Sequence, residues 1–439
     1  MKVINRILSS FLGRGLFAED KSLIITGLRN SIFIQGLTYA FVFINSYLLI
    51  RSAGVVDYGF YVNVFNWLSL FSIFASFGME DIVLAEIPRK LSMRKYPETI
   101  SLIRKVNGVI LFFSLLGLVL FSVVFYRHLL KEKYLLFVSS LNIYFLSFIL
   151  VNQQVLQAFN KFYLSQLADK IFRPFLMSLI ICVLLLYGKK VDASTLIFCN
   201  TIVLLITSLV VFFFLRRTLR GISSSANEPD TRVILSGNPV YFFFISIIYL
   251  LSSKIGILIL GVIGDNKSVG ILNVLSRFAD LVLLPYVLVH MVVPQLFSRH
   301  AGSDKFYRRR LFFQSTRLIT ICAAILSCGM IIAGKFILRF YDPVLEQFYQ
   351  FLIILCISQF LFSLFGPCTA ILMMQGRQKS TALCMFFNVL FDGLLYYILI
   401  KFYGLTGAVW ATLGASLFYN ITMRILVKNH LSLHAKGEA

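Results

Sequence analysis

The fold is decided by residues 238–297, NPVYFFFISIIYLLSSKIGILILGVIGDNKSVGILNVLSRFADLVLLPYVLVHMVVPQLF. Two apolar segments, 240–262 and 272–297, flank a short polar connection at 264–268. Each segment is long enough to cross a bilayer as a helix, which takes about 20 mostly apolar residues. The stretch therefore predicts two adjacent antiparallel membrane helices.

Both of these segments carry charged residues well inside their apolar sequence. Lys254 lies near the middle of the first, and Arg277 and Asp280 lie in the second. A charge in hydrocarbon costs about 3 kcal/mol or more, so such residues usually face water or a partner. With a rise of 1.5 Å per residue, Lys254 and Arg277 are expected about 10–12 Å below the same surface. They are the strongest site signal in the sequence.

The composition of the whole chain extends this interpretation. Of 439 residues, 59% are hydrophobic and 14% are charged, whereas about a quarter of a soluble domain is charged. The chain is therefore predicted to be an all-α polytopic membrane protein. Its net charge of +22 comes from basic residues between hydrophobic runs, which is typical of membrane loops. Nucleic acid is not expected as a partner, because no soluble domain carries a basic patch.

Twelve membrane helices in two six-helix bundles are predicted. The spans are 30–50, 58–79, 107–126, 134–158, 171–187, 194–215, 240–262, 272–297, 318–340, 348–374, 381–402 and 407–427. The longest connection, 216–239, is polar and reads as a cytoplasmic linker between two domains, 1–215 and 240–439.

The distribution of basic residues predicts the orientation. Most of the 41 Lys and Arg residues fall in the termini and in the loops after even-numbered spans. The positive-inside rule then places both termini in the cytoplasm. Their basic runs are interpreted as anchors beside anionic membrane lipids. Glu80 and Asp81, at the end of the second span, are interpreted as solvated or gating residues.

The two halves of the chain contain similar short sequence motifs. Residues 50–59 and 261–270 each lead into a span, and residues 156–161 and 373–377 repeat at a similar offset. Two pairs of similar motifs, separated by a similar number of residues, indicate that the two halves are repeats with the same topology. Such repeats are related by an axis along the membrane normal.

Polar stripes follow the first two spans. Gln35 belongs to the first stripe, and Asn63 and Asn66 belong to the second. A stripe of this kind either hydrogen-bonds between packed helices or lines a wet cavity. The three amides are assigned to a cavity, because sugar hydroxyls need both donors and acceptors.

The order of several short motifs resembles that of Wzx-type polysaccharide (O-antigen repeat-unit) flippases of the multidrug/oligosaccharidyl-lipid/polysaccharide (MOP) exporter superfamily. The motifs are Gly54…Asp57-Tyr58-Gly59-Phe60-Tyr61, Gly78, Gly264…Val269-Gly270-Ile271-Leu272, Pro294…Ser298-Arg299, Gly376-Arg377-Gln378-Lys379 and Tyr403-Gly404-Leu405-Thr406-Gly407-Ala408. The resemblance covers roughly 22–427 and implies two MATE-like bundles around a central cavity.

The resemblance also implies a function. Such a protein moves undecaprenyl-diphosphate-linked oligosaccharides from the cytoplasmic to the periplasmic leaflet of the bacterial inner membrane. Its pathway partners would be glycan polymerases and glycosyltransferases. It is a transporter and not an enzyme, and no Cys or His spacing indicates a metal or other cofactor.

Lys254 and Arg277 are assigned to the diphosphate, since cations in a cavity replace part of its hydration. Two other interpretations stay open: Lys254 snorkels towards the surface, or Asp280, one turn away, neutralises Arg277. Asp392, one turn after Asn388 in the eleventh span, either forms a static ion pair with Lys254 or releases it to couple an ion gradient to transport.

Other functions also stay open. A cation-coupled multidrug exporter generally uses an acidic residue in the core of its N-terminal half, and the first span has none. A lipid II flippase typically has fourteen spans. A membrane glycan polymerase or glycosyltransferase needs a catalytic group on an extramembrane loop. A scaffold for glycan assembly enzymes needs no buried polar stripe.

Overall fold

The computed structural model describes residues 18–125, 133–188, 191–223, 239–290, 305–369, 372 and 378–433. Every regular element within these ranges is helical, which confirms the predicted all-α fold. The helices are α1 (Ala18–Ser76), α2 (Met79–Ser92), α3 (Tyr96–Phe125), α4 (Lys133–Ala158), α5 (Phe162–Gln166), α6 (Arg173–Leu186), α7 (Ala193–Ser223), α8 (Pro239–Ile263), α9 (Asn266–Ala279), α10 (Lys305–Tyr341), α11 (Pro343–Glu346), α12 (Tyr349–Leu364) and α13 (Gln378–Leu433).

Each of the twelve predicted spans falls at least in large part on described helices, and the span 107–126 ends at a residue outside the described ranges. Seven helices are long and apolar enough to cross a membrane, and two of these, α1 and α13, are bent inside. Each bent helix contains two predicted spans. The predicted spans 272–297 and 348–374 also include residues outside the described ranges, as do the motif residues Pro294, Ser298, Arg299, Gly376 and Arg377.

Both bends occur at glycines of the sequence motifs. Gly54 in α1 has φ 80° and ψ 166°, and Gly404 in α13 has φ 56° and ψ −130°. Residues other than glycine rarely adopt such positive φ values, because their Cβ atom clashes with the backbone. A single glycine at each position therefore ends one membrane helix and starts the next.

The hairpin of α13 also depends on Gly407. A Cβ atom at this position would overlap the carbonyl oxygen of Leu399 in the preceding arm. Gly407→Ala is therefore expected to lower the thermal unfolding midpoint in detergent by at least about 4 °C, since backbone cannot move aside as a side chain does. Gly329→Ala in α10 is the matched control, because a Cβ atom there meets nothing within 4 Å. Equal midpoints for the two variants would contradict this view of the hairpin.

The helix that contains the predicted fifth span begins before the predicted start of the span. Residues 162–186 form one continuous helix in which α5, a π-helical turn (Leu167–Phe172) and α6 follow one another. The sequence predicted a span over 171–187, which lies within this longer helix except for its last residue. The helix therefore begins at Phe162, and the charged residues Asp169, Lys170 and Arg173 lie in its first half.

The chain forms two compact units. The N-terminal unit is Thr38–Lys254, and the C-terminal unit consists of the described parts of Met1–Leu37 and Ile255–Ala439. The boundaries fall inside helices α1 and α8, so continuous helices connect the units. The predicted domains 1–215 and 240–439 stay a prediction, since the linker 216–239 is described only at its two ends.

Candidate functional site

In the C-terminal unit, the eighth predicted span changes helix type at its charged residues. Arg277 lies in the last turn of α9, and Asp280 begins a 3₁₀ turn, Asp280–Leu283. The carboxylate Oδ1 of Asp280 accepts a hydrogen bond of 3.1 Å from Nε2 of Gln359 in α12. Short 3₁₀ stretches inside a helix often mark hinges. The charged residues thus lie where this helix is least regular.

Asp392 is buried in the first arm of α13, with 6% of its surface exposed. Its Oδ1 atom is fully buried and accepts no hydrogen bond from a described residue. Asn388 and Tyr396 lie one turn to either side on the same face. A buried carboxylate without a donor is costly as an anion, so it needs a proton or a cation.

The residues around Asp392 form a polar band across three membrane segments. Asn388 Nδ2 donates to Thr422 Oγ1 over 3.1 Å, and Tyr396 OH donates to Thr412 Oγ1 over 2.9 Å. Ser358 of α12 lies 2.8 Å from Ser416, measured between hydroxyl oxygens. These bonds join α12 to the second arm of α13 and join the two arms of α13 to each other. Asn388 and Tyr396, one turn to either side of Asp392, are thus both paired with the second arm of α13.

Lys254 lies in α8, and Arg277 lies in the helix that follows. α8 ends at Ile263 and α9 begins at Asn266. Measured along its own helix, Lys254 is about 14 Å from this connection and Arg277 about 17 Å, somewhat deeper than expected from the sequence. Both side chains are half-buried. Their assignment to a substrate phosphate stays a prediction.

The amides of the polar stripes differ in their surroundings. Gln35 is buried and Asn63 is half-buried. Asn66 is buried, and its Nδ2 donates to the carbonyl oxygen of Val62 over 2.8 Å in its own helix. The serines of the second stripe behave alike: Ser69 and Ser72 also donate to carbonyls of their own helix. This leaves the amide oxygens as the groups of the stripe most suited to a ligand.

The sequence analysis missed a charged cluster in the N-terminal unit. Asp169, Lys170 and Arg173 lie in or beside the π-helical turn of the fifth span. Arg173 Nη1 is 3.1 Å from Oδ1 of Asp169, and its guanidinium lies 5.0 Å from the centre of the Phe65 ring. The spacing of Asp169 and Arg173, one helical turn, was a signal for an ion pair inside a helix.

This cluster lies against both arms of α1. Phe65 belongs to the second arm, and Asn45 of the first arm donates through Nδ2 to the carbonyl oxygen of Pro174 over 3.3 Å. Asn45 also belongs to the polar stripe of the first span, and Phe65 is next to Asn66. The charged part of the fifth span therefore packs on the stretch of α1 that carries the polar stripes.

Of the two acidic residues at the start of α2, Glu80 is buried and Asp81 is half-buried. Glu80 is 7% exposed, and its buried Oε2 has no hydrogen-bond partner among the described residues. Asp81, beyond the end of the second predicted span, accepts a hydrogen bond of 3.5 Å from Ser246 of α8. Burial, together with the nearby Glu80, raises the pKa of Asp81 to about 6, against the opposing effect of Ser246.

This raised pKa predicts how Asp81 affects stability. The folded state holds the proton more tightly than the unfolded state, so stability present at acid pH is lost as pH rises through about 6. Asp81→Asn is expected to raise the thermal unfolding midpoint in detergent at pH 7 by about 2–4 °C. The difference should shrink as pH falls towards 4.

Asp192 is the control for this measurement. Hydrogen bonds from the hydroxyl and backbone N–H of Thr195 lower the pKa of Asp192. The charged carboxylate therefore stabilises the fold at neutral pH, and Asp192→Asn is expected to lower the midpoint there. A shift of the same sign for both variants at pH 7 would contradict the assignment of Asp81.

Comparison with known proteins identifies the fold. The family model described as MatE matches residues 242–398. One similar solved structure is the inward-facing conformation of a multidrug resistance MATE family transporter of the MOP superfamily. The two sequences are 11% identical, the alignment covers 100% of this chain and 99% of that chain, and the TM-score is 0.71. The inward closed conformation of the lipid II flippase MurJ is similar at 18% identity, with coverages of 90% and 87% and a TM-score of 0.67.

A third structure, the outward-facing conformation of a multidrug resistance MATE family transporter, is similar at 13% identity. It covers 98% of each chain, with a TM-score of 0.58. No curated protein matches this chain in the sequence comparison. The chain therefore has the twelve-helix fold of MATE transporters, and the predicted MATE-like fold class is confirmed. The cytoplasmic location of both termini stays a prediction.

Proposed function

We propose that this protein is a flippase of the bacterial inner membrane. It moves undecaprenyl-diphosphate-linked oligosaccharide repeat units from the cytoplasmic to the periplasmic leaflet by alternating access around a central polar cavity. The proposal is supported by the Wzx-type motifs and by a fold that is similar both to multidrug MATE transporters and to the lipid II flippase MurJ. In this proposal the protein moves its substrate without changing it, and so is not an enzyme.

The observation that carries the proposal is the presence of charged residues inside apolar helices of both units. Arg277, Asp280 and Asp392 belong to the C-terminal unit, and the Asp169–Arg173 pair belongs to the N-terminal unit. Such residues are rare in membrane helices and usually mark a substrate or ion pathway. A diphosphate that crosses the low-dielectric interior loses contacts with water. Cationic side chains fixed in the protein replace part of these contacts.

The roles of individual residues follow from their chemistry. Lys254 and Arg277 bind the diphosphate, Lys as a point charge and Arg through its planar fork. The amides of Gln35, Asn63 and Asn66 bind sugar hydroxyls. Sugar specificity would then come from dispersed polar contacts.

The acidic residues couple transport to an ion or hold the helices together. Asp392, beside Asn388, is a buried carboxylate without a described donor and is therefore suited to take up a proton or cation. Asp280, which accepts from Gln359, is suited to balance the charge of Arg277 one turn away.

A second function, cation-coupled multidrug export, is favoured by two observations. The MatE family model matches 242–398, and the similar structures include multidrug resistance transporters. The buried carboxylate of Asp392 is also compatible with a cationic drug or a coupling cation.

One experiment separates the functions. Purified protein is reconstituted into liposomes that contain fluorescent undecaprenyl-diphosphate-linked N-acetylglucosamine, and a membrane-impermeant quencher measures how much probe changes leaflet. A parallel set of vesicles is loaded with ethidium under an imposed pH or sodium gradient. A flippase moves the lipid probe, whereas a multidrug exporter moves ethidium alone. Mass spectrometry of the recovered probe would detect the longer product of a glycan polymerase.

A further inference from the structure

The charged cluster of the fifth span contains a second cation, Lys170. Lys170 is half-buried and forms no hydrogen bond or ion pair within the described residues. The helix that carries it begins at Phe162, so Lys170 lies about 12 Å along the helix from its start. Lys170 is thus held on a helical turn and not in a loop.

One acidic residue, Asp169, acts electrostatically on Lys170 as well as pairing with Arg173. Asp169 is the nearest acidic residue in sequence, and its carboxylate is held by Arg173 at 3.1 Å. The guanidinium of Arg173 is fixed in turn by the Phe65 ring at 5.0 Å. A cation over an aromatic face gains a further attraction, which is largest where water is excluded. The single negative charge of Asp169 balances only one of the two positive charges of Lys170 and Arg173. The cluster as a whole therefore carries one net positive charge.

The helix type supports a functional role for this position. Lys170 lies within the π-helical turn Leu167–Phe172. A π-helical turn inside an α-helix is rare, and such turns occur frequently at functional sites. Pro174, one turn after Lys170, accepts the hydrogen bond from Asn45 in α1. Lys170 is therefore near the contact between the fifth span and the polar stripe of the first span.

We infer that Lys170 binds the diphosphate group of the lipid-linked substrate, while the Asp169–Arg173 pair positions the helix turn that carries it. The inference rests on the proposed function and adds an anion-binding residue in the N-terminal unit. A phospholipid headgroup carries an anionic phosphate as well, so a phospholipid is tested beside the substrate analogue.

The test measures binding of farnesyl diphosphate to the purified full-length protein in detergent by calorimetry. Lys170→Ala is expected to weaken binding about tenfold, in line with the loss of one charge-assisted hydrogen bond. Lys170→Arg keeps the charge and is expected to stay within about threefold of the unmodified protein. Neutral farnesol should bind all variants equally. Lys401→Ala, which removes an exposed lysine over Tyr397 in α13, is the matched control and should change nothing.

The result that overturns the inference is equal affinity of Lys170→Ala and the unmodified protein for farnesyl diphosphate, or no binding of this probe at all. Phosphatidylglycerol binding with the same dependence on Lys170 would also overturn it, because the site would then hold a phospholipid headgroup. If Lys170→Ala unfolds at a lower temperature than the unmodified protein, Lys170→Met, which keeps most of the side-chain volume, replaces it in the comparison.

Failure of the proposed function looks different. A protein that binds farnesyl diphosphate through Lys170 but moves no lipid probe in liposomes is not a flippase, yet the anion-binding role of Lys170 stands. A protein that moves the probe equally well with Lys170→Ala, and binds farnesyl diphosphate equally well, is a flippase without this binding residue.

Discussion

Removing both Lys254 and Arg277 is expected to reduce transport of the fluorescent lipid probe about a hundredfold. Each residue offers a charge-assisted contact to a phosphate, and such contacts are worth about 1.5–3 kcal/mol, or roughly tenfold or more each. Because both residues would contact the same diphosphate, their effects can couple, and comparing the double variant with the two single variants measures that coupling. The measurement is the initial rate of leaflet exchange for Lys254→Gln, Arg277→Gln and the double variant.

Charge-preserving variants distinguish binding from the alternatives. Lys254→Arg should keep most of the rate if Lys254 binds phosphate, and an unchanged rate in Lys254→Gln would favour a lysine that snorkels to the surface. For Arg277, the decisive comparison is Arg277→Gln with the double variant Arg277→Gln/Asp280→Asn. If Arg277 only balances Asp280, removing both charges restores stability and transport, because no unpaired charge remains.

The membrane fold follows almost entirely from the pattern of apolar residues. Twelve apolar stretches of bilayer length predicted twelve spans, and the described parts of these stretches are helical almost throughout, because backbone groups in lipid must be satisfied within the segment. The motif glycines Gly54 and Gly404 lie at the positive-φ bends of α1 and α13. Their positions could be found from sequence because few other residues can turn a helix there.

The fifth span shows where this reasoning failed. The predicted span 171–187 left out the helical residues 162–170 that carry Asp169 and Lys170. The structure offsets part of the cost of these charges through an ion pair and an aromatic contact with Phe65, which is more than a hundred residues away in sequence. Contacts of this kind depend on which helix faces which. A single sequence does not contain that information.

The polar band around Asp392 was only partly predictable. Asn388 and Asp392 were recognised because their spacing places both on one face of a helix. Thr412, Ser416 and Thr422 in the second arm of α13 were read as ordinary residues of an apolar span. They became part of the site once the bend at Gly404 allowed the second arm to pack beside the first.

The same band isolates the carboxylate of Asp392. Its polar neighbours Asn388 and Tyr396 direct their hydrogen bonds to Thr422 and Thr412. Oδ1 of Asp392 receives none from a described residue. In the proposed function, this carboxylate takes up a proton or a cation in one state of the transporter and finds a charged partner in another. An ion gradient could drive transport by changing the balance of these states.

Asp392→Asn is accordingly expected to slow exchange of the lipid probe at least about tenfold under a pH gradient and to leave the remaining rate independent of pH. The physical reason is that the amide keeps the shape of the side chain but can neither gain a proton nor balance a cation. Rates are measured in liposomes from pH 5.5 to 8.5, with and without a sodium gradient. Asp342→Asn is the control, because Asp342 caps α11 through the N–H of Val344 and should affect neither rate nor pH profile. An unchanged rate and profile in Asp392→Asn would remove this residue from coupling and leave it a structural role in α13.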